Sequence, residues 1–169
     1  MPVRVRPITL WRAEVDHQPG VLAQTLEPLA AAGADLQVVM GYRVPGDRAR
    51  AAIEIFPVTG AKALSAAQAA GLSEAAISAL HVDGDDRPGL GHAMAKALAD
   101  AGINMDFILA QVSGRRYTMV IGFDSREDAD RAIPLIKGAA AAPRLPAARK
   151  AASKRAHATK RGRKAPRRR

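Results

Sequence analysis

The sequence predicts an α+β chain. Two copies of one strand–helix–strand–strand–helix–strand unit stand in tandem, each an antiparallel sheet with its helices on one face, and a disordered basic tail follows. Three observations carry this prediction: a repeat at a fixed shift of 69 residues, hydrophobic spacing that switches between strand and helix periods, and a charge distribution split between body and tail. The divisions that follow are residues 1–73 for unit one, 74–138 for unit two and 139–169 for the tail.

The repeat is clearest where Asp16-His17-Gln18-Pro19-Gly20-Val21-Leu22 returns as Asp85-Asp86-Arg87-Pro88-Gly89-Leu90-Gly91. At the same shift Leu29 and Leu98, Ala30 and Ala99, Ala32 and Ala101, and Gly33 and Gly102 are identical. With the Asp, Pro and Gly pairs these make seven of the eighteen positions from Asp16 to Gly33, more than an alanine-rich composition yields by chance.

Each copy opens on alternation, Trp11, Ala13 and Val15 in the first and Leu80 and Val82 in the second, as for a strand with one buried face. The helix after the Pro-Gly turn places Val21, Leu22, Thr25, Leu26 and Leu29, or Leu90, Met94, Leu98 and Ala101, on one stripe. Gly33 and Gly102 end these helices as left-handed caps. Second strands follow with Leu36, Val38 and Met40, or Met105, Phe107 and Leu109, on one face. Turns at Gly46 and Gly114 lead to third strands carrying Ala51, Ile53 and Ile55, or Tyr117, Met119, Ile121 and Phe123. The second helices span 61–70 and 127–137, the latter with a capping box of Ser125 and Asp128. Pro28 and Pro134 fall inside predicted helices, where each removes a backbone bond at about 3 kcal/mol unless the helix bends. Residues 72–83 form one extended run, read as a shared strand that closes unit one and opens unit two.

Composition narrows the function. The chain has no Cys, which excludes disulfides, thiolate metal sites and cysteine nucleophiles. Aromatic content of 4% leaves a core of Ala, Leu, Ile, Val and Met. Residues 1–9 lack an apolar run of signal-peptide length, and no stretch approaches the roughly 20 apolar residues of a membrane span. The expectation is a cytoplasmic protein that does not enter the membrane.

The element order, Asp-x-x-Pro-Gly at the first turn of each copy, and Gly102-Ile103-Asn104 at the start of a second strand resemble the ACT domain over residues 8–138, twice. The resemblance implies ferredoxin-like units that bind a free amino acid, regulate another macromolecule, and pair side by side as a homodimer without an attached catalytic domain. It also implies a ligand site on the Pro-Gly turn and the residue opening the second strand: Asp85, Pro88, Gly89, Leu90 and Asn104 in unit two, and Asp16, Pro19, Gly20, Val21 and Asp35 in unit one. The physical chemistry is consistent. A helix N-terminus offers unpaired N–H groups and partial positive charge to a carboxylate, glycine allows close approach, and a side-chain amide or carboxylate across an interface takes the ammonium group. Unit one reads Gly33-Ala34-Asp35 in place of Gly-Ile-Asn, so site two is the better kept. A structural alternative stays open, with Asp16 and Asp85 as helix caps, the Pro-Gly pairs as turns only, and Asn104 bonded to nearby backbone.

His17 and His92 lie in or just after the two turns, and His81 lies in a strand. No His, Asp and Glu set has metal-ligand spacing, and no Ser-His-Asp order points to a nucleophile. The cluster of Asp83, Asp85 and Asp86 lacks the spaced oxygens of a calcium loop. No metal or cofactor is implied, and the reading is not an enzyme.

Charge separates body from tail. All 16 acidic residues precede residue 131, whereas 143–169 holds twelve Lys or Arg and no acid, so the body is near −2 and the tail +12. Such a segment cannot bury enough apolar surface to fold alone and is a strong polyanion ligand. Arg149, Lys150, Lys154, Arg155, Lys160, Arg161, Arg163, Lys164, Arg167, Arg168 and Arg169 are the candidate nucleic-acid contacts. Arg161-Gly162-Arg163-Lys164 resembles an AT-hook core with its Pro displaced to Pro166, which favours DNA or RNA binding without base selectivity and a nucleoid association. A tail that aids solubility or contacts an acidic partner is the alternative for that segment. The alternative for the whole chain is an architectural nucleic-acid binder whose folded units only dimerise.

Overall fold

The computed structural model describes residues 3–142, so the tail cations lie outside the described residues. Eight strands and four helices occur among them: β1 (Arg4–Ile8), β2 (Trp11–Asp16), α1 (Val21–Ala31), β3 (Val38–Arg43), β4 (Arg50–Phe56), α2 (Ala61–Ala69), β5 (Ser73–Glu74), β6 (Ser78–Asp85), α3 (Leu90–Asp100), β7 (Phe107–Ser113), β8 (Arg116–Phe123) and α4 (Arg126–Ala141). They build two four-stranded antiparallel sheets, ordered β3-β4-β2-β5 and β1-β6-β8-β7. Each sheet carries helices on one face, as the repeat predicts.

The sheets divide the chain differently from a cut at residue 73. Strand β1 pairs with β6 from Arg4↔Asp83 to Ile8↔Ala79, so the N-terminal strand is the fourth strand of sheet two. Sequence reading missed it because the segment is short, polar on one face and interrupted by Pro7. An edge strand tolerates that Pro, since one side of its backbone has no ladder to join. Unit two has no fourth strand after α4 among the described residues, and β1 fills the vacant edge beside β6.

The extended run 72–83 is likewise two strands rather than one. Strand β5 closes sheet one against β2, and β6 opens sheet two after residues 75–77. The chain therefore crosses between sheets twice at neighbouring points, and Ala75 N–H donates to the Leu10 carbonyl at 2.8 Å where the two crossings meet.

Packing follows the sequence pattern. Trp11, Ala13, Leu29, Ile53, Ile55, Ala67 and Leu72 fill the layer between sheet one and its helices. Leu80, Val82, Leu98, Met119, Ile121, Phe123 and Ile136 are among those that fill the corresponding layer of unit two. A third cluster, Leu10, Val38, Ala79 and Val120, joins the helix-free faces of the two sheets. This explains why β4 and β8 are buried on both faces, which simple alternation does not foresee. Gly122 belongs to the same contact: a Cβ there would collide with Phe107 and Ile77.

Helices α1 and α4 run through Pro28 and Pro134. Helix α4 also continues to Ala141, past the boundary at 138 drawn from composition, because its alanines are good helix formers with Ala139 and Ala140 resting on the unit-two core. Its start is as predicted, with the Ser125 hydroxyl accepting from Asp128 N–H at 3.0 Å. Among the described residues no helix is long and apolar enough to cross a membrane.

Candidate functional site

Both Pro-Gly turns end in a glycine with positive φ, 90° at Gly20 and 82° at Gly89, and each glycine is the residue from which the helix starts. An added Cβ would meet nothing within 4 Å at either position, so glycine is there for its backbone conformation rather than for space. Among the described residues neither helix N-terminus receives a side-chain cap, and neither helix has an acidic residue in its first turn. The partial positive charge of α3 is thus left for another group.

The aspartates of the turns are engaged elsewhere. Asp16 pairs with Arg50 at 2.9 Å, and Asp85 pairs with Arg116 at 3.9 Å. Asp16 and Arg50, like Asp85 and Arg116, are opposite one another across the first and third strands of their units. The repeat therefore includes an ion pair that sequence reading missed, and the capping alternative for these aspartates does not hold. The available signal was an Arg opening each third strand.

In unit two the turn borders a cavity of about 310 Å³ lined by Val3, Asp85, Asp86, Arg87, Leu90, Tyr117, Ala140 and Ala141. Its polar rim comes from the turn, and its walls are Val3 just before β1, Leu90 of α3, Tyr117 of β8 and the last turn of α4. Arg87 Nη2 donates to the Ala139 carbonyl at 2.8 Å, tying the turn to the end of α4, where a cation also meets the negative pole of the helix. Tyr117 is only 4% exposed, and its hydroxyl has no hydrogen-bond partner among the described residues. Burial first, then Asp83, push the phenol up to about 12, with Arg87 opposing and Asp86 adding, so it remains a neutral donor at physiological pH.

The residues expected to open the second strands are not at the turns. Strands β6 and β7 both run antiparallel to β8 and hence parallel to each other, so Asp85 lies where β6 ends, level with the end of β7, while the exposed Asn104 precedes β7 at the opposite end of the strands. Seven strand residues, roughly 23 Å, separate these ends. Asp35 is separated from Gly20 in the same way and instead lines a different cavity, about 560 Å³, with Gly33, Gln37, Thr59 and Lys62. Within one chain the structure brings Asp85 and Leu90 to one cavity and leaves Asn104 out; Pro88 and Gly89 shape the turn. In unit one Asp16, Pro19, Gly20 and Val21 stay together and Asp35 stands apart.

His17 and His92 are exposed. His81 is buried on the helix-free face, 3.1 Å from the Thr118 hydroxyl and stacked on Phe56 with centroids 6.5 Å apart. Burial and the nearby Arg6 lower its pKa, while Asp83 opposes them. A second buried polar group was missed by sequence reading: Glu54, 1% exposed, accepts from the Tyr42 hydroxyl at 2.8 Å and from Arg12 at 3.2 Å. Its position on the alternate face of β4 marks it as a solvent residue until the second sheet is known.

No protein-family model and no curated protein matches the chain. Solved structures do. Protein BT0572 from Bacteroides thetaiotaomicron is similar at a TM-score of 0.64 and 14% identity, over 79% of this chain and 89% of that one. The ligand-free regulatory subunit of aspartate kinase from Thermus thermophilus is similar at 0.55 and 20% identity, over 82% and 97%. Its counterpart from Thermus flavus is similar at 0.54 and 19%, over the same shares. At these identities the likeness establishes the fold alone, an ACT-like arrangement of two α+β units.

Proposed function

We propose that this tandem ACT-like chain is a regulatory protein that binds a free amino acid in unit two. The single observation that carries the reading is the uncapped N-terminus of α3 opening beside a cavity whose rim holds Asp86 and Arg87. A zwitterion fits that rim: its carboxylate meets the N–H groups and guanidinium, its ammonium the aspartate, and its side chain the apolar wall. The regulatory subunits of aspartate kinase that share the fold support a regulatory role. Regulation further requires that the ligand bind two states of the protein unequally.

The second copy needed for such states has a candidate seat. Among the described residues strand β7 is an open sheet edge whose Ile108, Leu109 and Val112 are 52%, 43% and 55% exposed. An apolar, uncharged edge of this length is a template for another strand, here that of a second chain in a homodimer. The tail adds a polyanion partner, supported by its twelve cations against a body near −2.

Calorimetric titration of each of the twenty amino acids into the full chain tests the ligand reading. Saturable heat with at least one supports it, and a flat response to all overturns it. Removing residues 143–169 is expected to abolish DNA and RNA binding and its salt dependence; affinity that survives at every salt concentration would remove the tail from the account.

A further inference from the structure

Unit one and unit two differ at one cross-strand pair beside the turn. In unit one Val15 lies opposite Ala51; in unit two Gly84 lies opposite Tyr117. The side-chain volumes are exchanged across the ladder, large for small. A Cβ on Gly84 would stand 3.0 Å from Tyr117 Cε1, 3.1 Å from its hydroxyl oxygen and 3.2 Å from Cζ, so the missing side chain is what lets the phenol ring lie over the strand. The fold gains ring packing from this exchange, and Phe would supply the same packing. The hydroxyl supplies nothing to the fold: it is buried, lacks a partner among the described residues, and carries the cost of desolvation unmet. Yet the same tyrosine lines the cavity at the turn.

We infer that the Tyr117 hydroxyl is the specificity group of the unit-two site and selects an amino acid whose side chain ends in a neutral oxygen, a hydroxyl or an amide. This rests on the reading that unit two binds an amino acid. The backbone of the ligand is held at the rim, where Arg87 and the α3 N-terminus lie, and the side chain passes along Leu90, Ala140 and Ala141 toward the phenol. A donor O–H that stays protonated needs an acceptor. Asp83 and Asp86 act on the phenol against a second carboxylate there, and Arg87, which acts for one, is tied to the Ala139 carbonyl and faces the ligand's own carboxylate at the rim, which leaves uncharged oxygen acceptors. An apolar side chain of the same shape would leave the hydroxyl buried and unmet, and sites built around a buried polar group reject such analogues strongly.

Isosteric pairs read this directly: L-threonine against L-valine, and L-asparagine against L-leucine, titrated into the full-length chain and into Tyr117→Phe. In the natural protein the oxygen-bearing member of at least one pair is expected to bind about tenfold or more tighter than its isostere. In Tyr117→Phe that preference collapses to within about threefold, while the ligand-free variant melts a few degrees higher because an unmet buried hydroxyl is gone. Equal binding of both members to the natural protein, or a preference that survives in Tyr117→Phe, overturns the inference and leaves amino-acid binding standing. Absence of binding by all twenty amino acids overturns both.

Discussion

Removing the first eight residues tests the least expected feature of the fold, the borrowed edge strand. The deletion takes away the five-residue ladder between β1 and β6 and three half-buried aliphatic side chains, Val3 and Val5 on the unit-two core and Ile8 on the contact between sheets. Half-burial of such side chains contributes about 1 kcal/mol each, and each ladder hydrogen bond adds about 0.5–1.5 kcal/mol net. The expected loss is about 5 kcal/mol, an upper estimate because unfolded chains already bury some apolar surface. Against a typical total of about 5–15 kcal/mol, unit two should become marginal while unit one keeps its own four strands. Urea unfolding should then split into two transitions, and hydrogen exchange should show lost protection on β6 first. A truncated chain with an unchanged urea midpoint and protected β6 amides would refute the assignment of β1 to sheet two.

Three further perturbations follow from the same structure. Gly122→Ala drives a methyl group into Phe107 and Ile77 at the sheet contact and should lower stability by about 1–3 kcal/mol, read as a shift of the urea midpoint. His81 has a folded pKa below its unfolded value, so the folded state binds fewer protons; its contribution is whole above the unfolded value of 6.5 and is lost as pH falls below it toward the folded value. Comparing urea midpoints at pH 7.5 and 5.5 should therefore show a larger acid loss in the natural protein than in His81→Gln, and equal losses would exclude His81 as the cause. Val112→Lys charges the open β7 edge and should convert dimer to monomer in analytical ultracentrifugation with no loss of helix signal, whereas a dimer that persists would move the interface elsewhere.

The units were legible because the turn that starts each one is chemically demanding. Asp-x-x-Pro-Gly needs a left-handed glycine before a helix, and few residues replace it, so the repeat survives where the strands have diverged. What escaped notice was non-local. Strand β1 joins a sheet whose other members begin some seventy residues later, and nothing within Arg4–Ile8 records that partner. The buried faces of Glu54 and His81 depend on a second sheet in the same way. The separation of Asn104 from Asp85 was legible in principle: two strands joined by one helix run parallel, which puts the start of the second strand at the opposite end of the sheet's strands from the turn. The cavity, by contrast, needs the end of α4, a helix that composition alone ends too early. Tyr117 was visible only as a buried strand residue, and its unmet hydroxyl is a property of packing.

The central claim is that a small zwitterion sits at the start of α3. Amide chemical shifts recorded while the twenty amino acids are added one at a time to isotope-labelled protein test it most directly. At least one should move the signals of Arg87, Gly89, Leu90, Gly91 and Tyr117 together, leaving those of Gly20, Val21 and Leu22 in place. Shifts confined to the unit-one turn, or a spectrum that no amino acid alters, would contradict it.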